Sequence, residues 1–70
     1  MFFNNFNQYK EALADLNKAI LLNPIGEYFL NRSKCYYQLG NVAMAKNDAL
    51  KAMEMGEIIA ADYRSLLQLR

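Results

Sequence analysis

Two stretches of the chain carry the same pattern. Ala12-Leu-Ala-Asp15-Leu-Asn-Lys18-Ala19 and Ala45-Lys-Asn-Asp48-Ala-Leu-Lys51-Ala52 both read A-x-x-D-x-x-K-A, with an offset of 33 residues. Flanking positions correspond as well: Phe6 with Leu39, Tyr9 with Val42, and a break after each motif at Asn23-Pro24 and Gly56. A period in the low thirties spans one helix-turn-helix unit, and such units bury a shared core only by stacking. The echo therefore predicts an all-α chain of antiparallel helix pairs, a fragment of an α-solenoid with about four helices.

Periodicity places the helices. Tyr9, Ala12, Leu13, Leu16, Ala19 and Ile20 recur at helical spacing and form one stripe, which Asn23-Pro24 should end, giving a first helix over about residues 7–22. Pro24 is expected to begin the second helix, where a missing N–H is harmless, and Tyr28, Phe29, Ser33, Tyr36 and Leu39 form its stripe before Gly40 stops it. Asn41 is the expected N-cap of a third helix with Val42, Ala45, Ala49 and Ala52 inward, ending at Gly56. Glu57 is read as opening a fourth, capping helix with Ile59, Tyr63, Leu66 and Leu67 on one side and Arg64 and Arg70 towards its C-terminus. No strand pattern occurs, and the connections are short.

Composition limits what such a chain does. Seventy residues make one small domain, whose core is marginal unless something beyond the chain helps. Hydrophobic residues at 54% exclude a disordered tail. The formal charge of +1 supplies no field for nucleic acid or an anionic membrane, so neither is an expected partner. No apolar run approaches the ~20 residues of a membrane span, and the first residues lack the pattern of a signal peptide. A single cysteine, Cys35, gives no argument for an oxidising compartment, so the cytoplasm is the default expectation.

Catalytic chemistry finds little to use. The chain has no His, so a general base would have to be a carboxylate, Lys or Tyr. Glu11 and Asp15 stand at i and i+4 but on a polar face, with Asp15 expected to pair with Lys18 and Asp48 with Lys51. Cys35, within an aromatic helix, reads as a small core residue rather than a nucleophile. There is no phosphate loop, no metal-spaced Cys/His set and no triad, so an enzyme is not expected and nothing calls for a cofactor or metal. Tyr28, Tyr36, Tyr37 and Tyr63 are of a kind that stacks on RNA bases, but the scattered charge favours packing between helices, Tyr37 excepted. Met44, Met53 and Met55 form a soft apolar strip on the third helix, read as core or as an interface to a neighbouring unit.

These residues resemble the tetratricopeptide repeat family. Phe29, Ser33, Tyr36, Gly40, Val42, Ala45, Ala49 and Ala52 follow its pattern of large, small and aromatic positions, and Tyr9, Ala12, Leu16, Ala19 and Pro24 follow it in a first unit. The resemblance implies a truncated first repeat over 1–24, a full repeat over 25–56 and a capping helix over 57–70. The sequence departs from the pattern in three places. The offset is one short of the usual 34, which puts a shortened link at Ile25-Gly26; about ten residues of the pattern would precede Met1; and Glu57 stands where the final Pro belongs. About three units are the norm for independent stability, so the chain is expected to be incomplete.

The resemblance implies a non-catalytic protein–protein interaction module, binding a peptide or acting as a scaffold, with the first helix of each unit lining the inner face. On this chain that places Glu27, Leu30, Asn31, Lys34, Tyr37 and Gln38 towards a peptide: Asn31 for a main-chain amide, Lys34 for a carboxylate, Leu30 and Tyr37 for apolar side chains. A co-chaperone-like clamp on acidic chaperone tails is a weaker implication: Asn31 and Arg64 stand at clamp positions, whereas Met1 and Ala60 or Ala61 do not match. A self-associating unit is the alternative, a homo-oligomer in which another copy supplies the missing first helix and covers Tyr9, Leu13 and Leu16.

Overall fold

A computed structural model of the protein describes residues 6–69, and for Phe6 the backbone alone. Among the described residues four helices and no strand occur: α1 Phe6–Leu22, α2 Gly26–Gln38, α3 Val42–Glu54 and α4 Ala61–Leu66. Arg70, expected near the end of the last helix, lies outside the described residues.

Pro24 does not enter α2. The N-cap is Ile25, extended at φ −109° and ψ 154°, and Gly26 is the first helical residue. Glycine is there because of a close approach: a Cβ would lie 2.7 Å from Glu57 Cγ and 3.2 Å from Met55 Cβ. The start of α2 thus presses on the link that follows α3, a contact between residues some thirty positions apart.

Three of the four helices, α2, α3 and α4, end in the same way. Gly40, at φ 86°, closes α2 with its N–H on the Tyr37 carbonyl at 3.0 Å and the Asn41 N–H on the Tyr36 carbonyl at 2.9 Å. Gly56, at φ 92°, closes α3 in the same way, through Gly56 to Met53 and Glu57 to Ala52, both at 3.0 Å. These paired bonds are Schellman closures, which satisfy carbonyls that the helix leaves unpaired. The third follows α4, where Gln68 takes the left-handed position at φ 59° and Leu69 N–H reaches the Arg64 carbonyl at 2.8 Å. At its other end α3 is capped by Asn41, whose side chain accepts from the Met44 N–H at 3.3 Å.

Small residues set the spacing of α2 and α3. Ala45, Ala49 and Ala52 are fully buried, and so is Ser33 opposite them. The Ser33 hydroxyl donates to the Ala45 carbonyl at 2.6 Å, an approach that a larger pair of side chains would block. A core of Ala45, Ala49, Ile59 and Leu67 forms against this seam, with Leu30, Tyr36, Tyr37, Met53, Tyr63 and Leu69 packed around it.

Three expectations need correction. Val42 does not face inward; it is 43% exposed, because as the first residue of α3 it precedes the turn that α2 covers. The fourth helix does not open at Glu57, whose N–H is taken by the closure of α3; residues 57–60 run without helix and turn Ile58 out and Ile59 in. With α4 beginning only at Ala61, Ile59, Tyr63 and Leu67 share the inner side at spacings of four, and Leu66 is 55% exposed.

Candidate functional site

α2 presents the side that the sequence points to. Glu27, Asn31, Lys34 and Gln38 are exposed along it, and Leu30 and Tyr37 are half-buried between them. Facing them across a gap stand the non-helical stretch after α3 and the short helix α4. The gap is an open cavity of about 400 Å³ lined by Leu30, Lys34, Tyr37 and Gln38 from α2 and by Ile58, Ile59, Ala60, Tyr63 and Leu66. Four of the seven expected site residues therefore meet in one cavity. Glu27, Asn31 and Arg64 do not line it, although Glu27 and Asn31 continue the same helix side towards its N-terminus.

The wall of the cavity is held by α4. Tyr37 and Tyr63 meet edge to face, with ring centroids 5.9 Å apart and planes at 84°. The Tyr63 hydroxyl lies 2.7 Å from Ser33 Oγ. Because Ser33 spends its one proton on Ala45, the phenol is the donor in this pair. Burial pushes the Tyr63 phenol above its ordinary range, with the Ser33 bond offsetting part of the effect. The ring is thus anchored to α2 at both its edge and its tip. Arg64, next in sequence, keeps its Nε buried without a hydrogen-bond partner.

The cavity's chemistry is plain. Its floor is aliphatic and aromatic, its rim carries the Gln38 amide, and Lys34 is the one charged residue in its lining. An apolar pocket with a single cation at its edge suits an apolar side chain that has a carboxylate close by. Cys35 is buried on the other side of α2, and its thiol is raised by desolvation, as a core residue's would be. Among the described residues no three His, Cys, Asp or Glu side chains gather as a metal would need.

Sequence reasoning missed a second feature, the tie between helices at Arg32. Its guanidinium grips Asp48 with Nε on Oδ2 at 2.8 Å and Nη2 on Oδ1 at 2.9 Å. Nη1 donates to Asn17 Oδ1 of α1 at 3.0 Å, and the Phe29 and Tyr36 rings lie 5.3 and 5.9 Å from Cζ. Asp48 is 5% exposed and does not pair with Lys51; nor does Asp15 pair with Lys18, the Arg32–Asp48 bridge being the ion pair found among the described residues. The reason is positional: Asp48 lies between Ala45 and Ala49 on the side facing α2, whereas Lys51 is exposed. The legible signal was Asp48 sharing a stripe with buried alanines.

The family model for the tetratricopeptide repeat matches residues 1–25 and 26–55. The chain belongs to the tetratricopeptide repeat family. Searches of curated proteins and of solved structures return no match. Repeats of this family mediate protein–protein interaction and are typically non-catalytic. Among the described residues no helix is long and apolar enough to cross a membrane.

Proposed function

We propose that the cavity between α2 and residues 58–66 receives a short segment of another protein, anchored by one apolar side chain with a carboxylate beside it. The carrying observation is the convergence of Leu30, Lys34, Tyr37 and Gln38 on one cavity with Ile59 and Tyr63 behind them. Leu30, Tyr37 and Ile59 take the apolar anchor, Lys34 the carboxylate, and Gln38 a backbone amide. Asn31 and Glu27, exposed further along α2, extend the track beyond the cavity. Ile58, at 93% exposure, and Leu66, at 55%, stand in its walls as apolar side chains that a bound segment would cover.

Arg64 is left out of this reading, and with it the paired-clamp arrangement: its Nε is buried, and the residue does not line the cavity. A peptide array screened with the wild-type chain and with Asn31→Ala/Lys34→Ala is the test. Peptides that combine an apolar residue with an adjacent acid should bind the wild type and lose about tenfold on the variant, as a tenfold change needs only about 1.4 kcal/mol. Equal binding by the two proteins would sink the reading.

A further inference from the structure

The polar row along α2 is ordered by charge. Glu27, Asn31, Lys34 and Gln38 are exposed at spacings of four, three and four, so they stand in one line along the helix as acid, amide, base and amide. Glu27 and Lys34 lie two turns apart, about 10 Å at about 1.5 Å per residue, which is too far for a bond between them. Among the described residues neither enters an ion pair, the Arg32–Asp48 bridge being the one found. The facing wall adds no charge: Ile58, Ile59, Ala60, Tyr63 and Leu66 line it, and the Tyr63 hydroxyl is taken by Ser33. Glu57 does add to the acidic end of the row, since its Oε2 lies 3.2 Å from where a Cβ would stand on Gly26, the residue before Glu27. The track through the cavity is thus negative at the start of α2 and positive two turns on, beside the apolar lining.

Resting on the reading of the cavity as the site of a protein segment, we infer that the segment is ordered by charge as well. With its acid on Lys34 and its apolar anchor in the cavity, it places a basic residue three or four positions from the acid, on Glu27. The spacing follows from the geometry. An extended chain rises about 3.3 Å per residue, so about 10 Å is three residues, and the flexible stem of a Lys or Arg tolerates a fourth. Complementarity argues for the base, because an acidic or apolar residue laid at that end would meet Glu27, with Glu57 near it, and bring no cation. The positive end of the α2 dipole, about half a charge, does not neutralise two carboxylates. Lys34 then fixes where the segment sits, and Glu27 fixes which way its charges run.

The test uses the full chain and two labelled synthetic peptides, Gly-Lys-Ala-Ala-Glu-Leu-Gly and the same residues in reverse order, followed by fluorescence anisotropy. The two orders cover both chain directions, and the tighter binder is carried forward. Replacing its lysine by glutamate should weaken binding to the wild-type chain about fivefold or more. Moving the lysine next to the glutamate should weaken it too, since the cation then stands over Lys34. In the chain, Glu27→Lys should weaken the lysine peptide and strengthen its glutamate form. Should Glu27→Lys melt below the working temperature, the peptide changes on the wild-type chain decide alone, because they leave the fold untouched. Equal affinity for the lysine and glutamate peptides would overturn the charge order while leaving the cavity as a site for an apolar residue with an acid. No saturable binding by either parent peptide, or binding unchanged by Asn31→Ala/Lys34→Ala, would overturn the cavity reading and this inference with it.

Discussion

At the scale of single residues, two side chains, Arg32 and Ser33, organise most of the polar contact between helices. Arg32 reaches α3 through Asp48 and α1 through Asn17, so one guanidinium ties three helices. Removing either partner of a largely buried pair leaves the other charge unmatched, at a cost of about 3 kcal/mol. Arg32→Ala and Asp48→Ala should each lower stability by about that amount in urea unfolding, while the double variant should cost much less than the two added. Additive losses would show that the pair is not coupled. The half-buried Tyr63 phenol and the buried Cys35 thiol make a second prediction. Tyr63 and Cys35 are both raised above their ordinary values, chiefly by desolvation. An acid whose folded value is raised binds more protons in the fold, so its stabilising share is present below the unfolded value and is lost as pH rises past it. The melting temperature should hold from neutral pH to near 9.0, the ordinary thiol value, and then fall through 10.0, the ordinary phenol value. Tyr63→Phe should flatten the alkaline limb, and an unchanged slope would assign the loss to other groups.

At the scale of elements, the first three helices were legible because each ends on a local signal. Asn23-Pro24, Gly40 and Gly56 mark the ends, Asn41 marks a start, and the stripes of small and aromatic residues mark the inner sides. The fourth helix was misread because its boundary depends on chain direction after Gly56, which is set by a backbone closure and by contact with Gly26 rather than by residue type. That error also displaced Leu66 and hid the cavity, since Ile58, Ile59 and Ala60 enter its wall from a stretch that is not helical. The α2 side of the site came from the family resemblance, which points to the first helix of the unit; the facing side required the fold. The three closures differ in one respect, that Gln68 holds the left-handed position where Gly40 and Gly56 stand elsewhere. Gln68→Gly should therefore stabilise by about 0.5–1 kcal/mol, and Gly40→Ala should destabilise by about 1 kcal/mol, both read by thermal or urea unfolding. A stabilising Gly40→Ala would contradict the assigned geometry.

At the scale of the whole molecule, the fold is an open stack rather than a closed core. α2 lies between α1 and α3, and the buried residues gather on α2, on α3 and around Ile59 and Leu67, while α1 contributes none over residues 7–22. Such a molecule presents a cavity between α2 and residues 58–66, while α1 keeps a largely exposed side. The central claim is that the α2–α4 cavity is where a protein segment is held. Its most direct test is a backbone and methyl NMR titration with the strongest peptide found on the array. Shift changes should concentrate at Leu30, Lys34, Tyr37, Gln38 and residues 58–66, and vanish with Lys34→Glu combined with Leu30→Lys; changes confined to α1 or to the outer side of α3 would contradict it.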